Sequence, residues 1–293
     1  MTAGGGRDRQ ARDLPLDAHL HTDLSPDSDV PIDRYAEQAV ERGVAELAIT
    51  DHVDFDPTAP AFAFATFERR ERVVRDAAER WAAAGVTIRF GVEVTWDRRW
   101  ADDIADHLRR HAYDFVIGSV HVYRNSVYAA ANVGAWVAGK QLGEIVGPYF
   151  DEVEAGARSG LFDAMGHIDF VKRYLGGHVA PAALADALDL YDPILEALID
   201  TGTALEVNTS GYRQAPGESY PSPAAVARYA ELGGRALTVG SDAHRADAFA
   251  YALDDGYRVV AAAGVPELTI GRGANARHVP LALTPNVGAG RSL

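Results

Sequence analysis

Cysteine is absent from this chain. That excludes disulfides and thiolate metal ligation, and it leaves nitrogen and oxygen donors for any bound ion. Lysine is scarce, occurring only as Lys140 and Lys172, in a chain otherwise rich in alanine and arginine. Positive charge as a whole is outnumbered: 28 Lys and Arg against 42 Asp and Glu give a formal net charge of −14. A surface of that sign repels polyanions and argues against a nucleic-acid partner. A small phosphorylated substrate stays open, because bound cations dominate the field inside a site. Long apolar runs are missing too, so no membrane span or membrane partner is expected. The polar, glycine-rich start from Met1 to Arg7 lacks the apolar region of a signal peptide. Residues 1–13 therefore read as a disordered lead-in, and the expected location is the cytoplasm.

What is present is a strand-and-helix alternation. Hydrophobic residues make up 47% of 293, enough for the core of one α/β barrel of ordinary size. Short apolar segments at 16–22, 46–50, 87–94, 114–120, 162–167, 203–208 and 236–241 read as strands. Helical periodicity lies between them at 32–42, 66–84, 102–111, 142–157, 181–201, 224–232 and 246–263, with Pro148 a potential kink. Gly43 stops the first helix and Thr66 caps the second. Residues 122–140 are aromatic and weakly periodic, and read as a loop or lid. A last short strand is expected at 267–270, and the chain beyond it as an irregular tail from 272 to 293. Alternating βα units with short connections argue a parallel sheet, and about seven of them favour a barrel over an open sheet.

The histidines and acids fall where such a barrel would use them. His19-Leu20-His21, Asp51-His52, Glu93, His121, His167-Ile168-Asp169, Glu206-Val207-Asn208 and Asp242-Ala243-His244 all sit at expected strand ends. In barrels the active site lies at the C-terminal ends of the strands. Residues two apart on a strand point the same way, so His19 with His21, and Asp242 with His244, can chelate together. Asp17 shares that face and is placed to orient an imidazole. Taken singly, each motif has an ordinary explanation: a hydrogen-bonded pair for His19 and His21, a helix cap for Asp51, core histidines for His121 and His167. Glu93 is harder to explain that way, because a carboxylate within Phe90-Gly91-Val92-Glu93-Val94 faces burial and needs a cation. The set as a whole points to a metal site.

These residues resemble the PHP (polymerase and histidinol phosphatase) family of metal-dependent phosphoesterases. The resemblance runs from about Leu16 to Ala263. It rests on His19-Leu-His21-Thr22, Thr50-Asp51-His52, Gly91-Val-Glu93, Gly118-Ser-Val-His121, Gly166-His167-Ile-Asp169 and Ser241-Asp242-Ala-His244. Within the family the chain is most similar to monofunctional histidinol-phosphate phosphatases, through Ser25-Pro-Asp27-Ser28, Gly166 to Arg173 and Glu206 to Arg213. The resemblance implies a distorted, TIM-like (β/α)7 barrel holding three divalent metal ions. One would take His19, His21, Glu93 and Asp242; a second Asp27, His52 and His244; a third Glu93, His121 and His167. Some family members carry His where Asp27 stands here. Imidazole and carboxylate donors suit zinc, manganese or iron.

Such ions activate water near neutral pH and neutralise phosphoryl oxygens. A phosphate clamp is also needed, for which Arg173 and Arg213 are candidates with Lys172 behind them. Asn208 and Ser119 are placed to hydrogen-bond substrate or nearby water, Asp51 to support His52, and Glu218 to hold an amine. Three functions remain in view. They are hydrolysis of histidinol phosphate, phosphoester hydrolysis on nucleotides or oligonucleotide ends, and a non-catalytic module that has kept its fold. Neither composition nor motifs set an oligomeric state.

Overall fold

Strand β1 (Asp17–Leu20) divides packing from chemistry by simple alternation: Ala18 and Leu20 join the apolar core, while Asp17 and His19 take the opposite face. The structure, a computed structural model, describes residues 14–272 and 276–281. The expected lead-in at 1–13, and most of the expected tail, lie outside the described residues. The other strands are β2 (Glu46–Ile49), β3 (His52–Val53), β4 (Thr87–Thr95), β5 (Phe115–Ser119), β6 (Ala164–Met165), β7 (Ala204–Asn208), β8 (Leu237–Gly240), β9 (Glu267–Ile270) and β10 (Arg277–Pro280). The helices are α1 (Ile32–Arg42), α2 (Phe67–Ala82), α3 (Ala101–Arg110), α4 (Val133–Val137), α5 (Leu142–Ser159), α6 (Lys172–Leu175), α7 (Pro181–Asp186), α8 (Asp192–Thr201), α9 (Pro223–Glu231) and α10 (Leu253–Ala262).

The sheet order is β1-β2-β4-β5-β6-β7-β8, all parallel, with β3 pairing beside β4. Two backbone hydrogen bonds then join the ends. Asp242 N donates to His19 O at 2.9 Å, and His21 N donates to Ala243 O at 3.0 Å. The Tyr35 hydroxyl of α1 lies 3.0 Å from His21 O and 2.9 Å from Ala243 O, on the same seam. The result is a nearly closed TIM-like barrel with helices outside. On β4, Phe90, Val92 and Val94 face the helical layer, and Phe90 packs at a tilt against Phe67 of α2 with ring centroids 5.4 Å apart.

Local expectations hold where local chemistry is strong. Helix α1 ends at Gly43, whose φ of 74° is the left-handed conformation that glycine adopts without cost. Thr66 caps α2 by accepting from Arg69 N. Helix α5 runs unbroken through Pro148. The expected helix at 181–201 is instead two: Pro193 opens α8, its missing N–H being harmless only in a first turn. The expected helix at 246–263 is likewise shortened to α10. Ala250 and Ala252 sit at φ of 53° and 55°, and Thr209 Oγ1 donates to the Tyr251 carbonyl at 2.7 Å. The segment 122–140 is mostly loop, as expected, and is pinned to its neighbours. It contains α4, and the Tyr128 hydroxyl (2.7 Å) and Trp136 Nε1 (3.0 Å) both donate to Ile145 O of α5. Within the expected irregular tail, β10 pairs antiparallel with β9, and Arg277 and Arg89 both pair with Glu46.

Gly118 of β5 has no room for a side chain, since a Cβ there would lie 2.3 Å from the Phe162 ring. Gly118→Ala is expected to cost about 1–3 kcal/mol through overpacking, read as a lower urea midpoint. An unchanged midpoint would mean that Phe162 moves aside freely.

Candidate metal centre

The barrel brings all nine candidate ligands to the C-terminal ends of its strands. His19 and His21 come from β1 and its end, and Asp27 from the loop that follows. His52 is on β3, Glu93 on β4, and His121 and His167 lie just past β5 and β6. Asp242 and His244 follow β8. Gly240 permits the tight approach there, because a Cβ on it would sit 2.3 Å from His19 Cβ. Asp242 and His167 hold φ of 52° and 26°, conformations uncommon for residues with a Cβ. Positive φ at such positions is found where a site requires it.

Three groups emerge. In the innermost, His19 Nε2 and His21 Nε2 lie 3.4 and 3.5 Å from Glu93 Oε2, and 3.8 and 3.4 Å from Asp242 Oδ1. In the second, the other Glu93 oxygen, Oε1, stands 3.4 Å from His121 Nε2 and 3.0 Å from His167 Nε2. In the third, which opens towards solvent, Asp27 Oδ2 meets His52 Nε2 at 3.3 Å and His244 Nε2 at 3.2 Å. His52 also reaches inward, its Nδ1 lying 2.8 Å from Glu93 Oε2. His19, His21 and Glu93 are fully buried, whereas the Asp27 side chain is 50% exposed.

The electrostatics of the cluster call for a cation. Burial would raise the Glu93 pKa, but His19, His52 and His121 hold it well below the usual carboxylate range. Asp242 is held low against burial in the same way, first by His19. The counterpart appears on the imidazoles: burial opposes charge on His19, yet Glu206, Glu93 and Asp242 raise its pKa well above normal. His21, buried beside His244 and His52, goes the other way and is held neutral. His19 Nε2, both ring nitrogens of His21, Glu93 Oε2 and His167 Nδ1 are buried with no hydrogen-bond partner. A buried polar atom without a partner costs about 1–3 kcal/mol, so their convergence fits divalent cations held by nitrogen and oxygen donors.

Several supporting residues behave differently from expectation. Asp17 orients no imidazole. It accepts from Ser241 N at 2.8 Å and Ser241 Oγ at 2.6 Å, fixing the strand end before Asp242. Burial pushes its pKa up to about 6 despite those bonds. Glu206 takes the orienting role, with Oε1 2.6 Å from His19 Nδ1 and Oε2 accepting from His167 N at 2.9 Å. The signal for it was the one that singled out Glu93, a carboxylate within an apolar strand. Asn208 Nδ2 donates to Glu206 Oε2 (3.1 Å) and lies 3.3 Å from Asp242 Oδ2, so it steadies carboxylates. Asp51 accepts from Thr22 N at 2.6 Å and Thr22 Oγ1 at 2.8 Å, tying the turn after β1 to the start of β3. Ser119 is fully buried against Gly166, off the cavity.

The cluster forms the floor of a cavity of about 650 Å³. Arg173 and Arg213 both line it, in different states. Arg213 donates to the carbonyls of Ser241 (2.8 Å) and Asp242 (2.7 Å), so it holds Asp242 in its left-handed conformation. The Arg173 guanidinium makes no hydrogen bond or ion pair among the described residues and lies over Phe170, 5.5 Å from the ring centroid. Lys172 does not stand behind it. It is buried, with Nζ 2.9 Å from both Asp169 and Glu218, which removes Lys172 from the clamp and Glu218 from substrate binding.

The PHP domain signature matches residues 17–210. A probable histidinol-phosphatase of Deinococcus radiodurans is 31% identical over 236 residues, covering 78% of this chain and 86% of that protein. The histidinol-phosphatase of Lactococcus lactis subsp. lactis is 26% identical over 259 residues, 86% of this chain and 93% of that one. The crystal structure of histidinol phosphate phosphatase from the same Lactococcus, complexed with zinc, L-histidinol and phosphate, superposes with a TM-score of 0.77 at 23% identity. The match covers 90% of this chain and 98% of that one, a likeness of fold.

Two substitutions probe the centre. Glu206→Gln is expected to weaken metal retention about 10–100-fold by releasing the His19 ring, measured as metal content after dialysis against graded chelators. Retention equal to that of the parent would reduce Glu206 to a space-filling role. Glu93→Gln is expected to lower occupancy of both inner groups together; loss from one alone would remove its bridging position.

Proposed function

This chain belongs to the PHP domain family, and on that premise we propose that it is a metal-dependent phosphomonoesterase that hydrolyses L-histidinol phosphate to L-histidinol and phosphate. The observation that carries the reading is the convergence of buried imidazole and carboxylate atoms, several without a hydrogen bond, on the floor of a cavity that also holds Arg173, whose guanidinium has no ion pair among the described residues. The organic half of the substrate follows from the relatives, two of which bear the name histidinol-phosphatase across most of this chain's length. A biosynthetic role of this kind is cytoplasmic.

Three divalent ions, of zinc, manganese or iron, would be held in the assignment that the family resemblance implies. The first would be held by His19, His21, Glu93 and Asp242, the second by Asp27, His52 and His244, and the third by Glu93, His121 and His167. The short distances from Glu93 and Asp242 to His19 and His21, from Glu93 to His121 and His167, and from Asp27 to His52 and His244 support that reading. When bound, such ions activate water near neutral pH and neutralise charge that develops on phosphoryl oxygens. The chain's own groups do the rest. Glu93 presents one oxygen to each inner group and so sets their spacing. Glu206 keeps the His19 ring turned towards the cluster, and Arg213 with Asp17 keeps Asp242 there. Arg173 receives the phosphate, its planar donors matching two phosphoryl oxygens at once. Phe170 and Tyr174 wall the cavity beside it and limit access of water. Substrates on oligonucleotide ends are disfavoured by the net charge of −14. An inert module would not retain a ligand at every motif position.

Phosphate release from L-histidinol phosphate is expected to be lost on chelation and restored by manganese or zinc. Full activity in metal-stripped protein would overturn the reading. Arg173→Ala is expected to raise KM for phosphate monoesters on the order of ten- to a hundred-fold, the worth of a charged hydrogen bond. An unaltered KM would remove Arg173 from the clamp.

A further inference from the structure

Four carboxylates line the main cavity: Asp27, Asp54, Glu93 and Asp242. All but Asp54 contact histidines of the metal cluster. Asp54 follows His52 by two residues, is only 8% exposed, and also lines an adjoining cavity of about 470 Å³. In that second cavity the remaining acids are already neutralised, Asp56 and Asp97 by Arg99 and Glu152 by Arg98. No Lys or Arg among the described residues pairs with Asp54. Arg70, whose charge it feels, donates instead to the carbonyls of Asp51 (3.1 Å) and His52 (2.6 Å). A buried carboxylate without a cation is costly unless a ligand supplies one.

Its hydrogen bonds aim it while leaving lone pairs free. Oδ1 accepts from the Tyr123 hydroxyl at 2.8 Å, and Oδ2 from Ala61 N at 3.3 Å. The same Tyr123 hydroxyl lies 3.4 Å from Thr95 Oγ1, which in turn lies 3.0 Å from His121 Nδ1. Asp54 is thereby held in a fixed relation to the metal cluster through Tyr123, Thr95 and His121.

We infer that Asp54 is the specificity-determining residue for the organic half of the substrate, receiving a protonated amine while Arg173 receives the phosphate. The inference rests on the phosphomonoesterase reading above and assigns the residue by which the site would read the substrate's ammonium group. L-histidinol phosphate carries that group; its deaminated analogue, imidazolylpropyl phosphate, does not.

The test compares kcat/KM for those two compounds in metal-loaded protein. Wild type is expected to favour the amine by about tenfold or more, the worth of a charged hydrogen bond. Asp54→Asn is expected to erase most of that preference through KM, and Tyr123→Phe to erase part of it. In Asp54→Asn, inhibition by L-histidinol should weaken about tenfold while inhibition by inorganic phosphate holds within about threefold. An intact preference in Asp54→Asn, or an equal loss on both substrates and both inhibitors, overturns the assignment. Wild type that turns over both compounds equally sinks the amine inference alone. Wild type that releases phosphate from neither sinks the phosphomonoesterase reading beneath it.

Discussion

Glu93 lies fully buried on β4 with five imidazoles within 3.5 Å of its oxygens, and an ionised carboxylate in that position is stable only beside positive charge. The imidazoles supply it partly, by drawing protons onto rings that burial would otherwise keep neutral. Divalent cations would supply it more fully and would displace those protons, which would link ion binding to the acid–base state of the cluster. His19, His21, His52, His121 and His167 belong to separate parts of the sequence. Their meeting at one carboxylate means that the ends of β1, β3, β5 and β6 must all converge on β4. The centre is a tertiary property that a local change in any one strand would disturb.

The barrel's seam and the candidate centre are built from the same residues. The hydrogen bonds across the seam are made by the backbones of His19, His21, Asp242 and Ala243, residues whose own or neighbouring side chains are candidate ligands. Tyr35 from outside and Asp17 from inside reinforce the same few residues. Arg213 does so from the cavity, at the carbonyls of Ser241 and of Asp242, the latter held at positive φ. Strain at Asp242 persists because bonds from several directions overdetermine it. The polar network thus does for the seam what a regular ladder does elsewhere in the sheet.

The candidate ligands were legible because chemistry and periodicity agree. A histidine or acid at the end of an apolar run is conspicuous, and barrel logic turns a list of strand ends into one site. Helix α1 and its stop at Gly43 were legible for local reasons, as was the cap at Thr66. What escaped was set by partners distant in sequence. Lys172 and Arg173 are adjacent cations, and the sequence placed Lys172 behind Arg173 in the same clamp, yet Asp169 and Glu218 bury one while the other reaches the cavity. Asp17 shares a strand face with His19, but Ser241 across the seam claims its carboxylate. The division between α7 and α8, and the delayed start of α10, follow from Pro193 and from a Thr209 bond to the chain at Tyr251.

By itself the sequence determined the alternation of strands and helices, the donor types open to an ion, and the strand ends that bear them, because each of these depends on residues within a few positions of one another. Only the tertiary structure decided which carboxylate turns the His19 ring, and that among the described residues Arg173 has no ion pair and Asp54 faces the cavity with no Lys or Arg paired to it. Those outcomes depend on which side chains from remote strands meet at a shared acceptor, and residues distant in sequence meet only in the closed barrel.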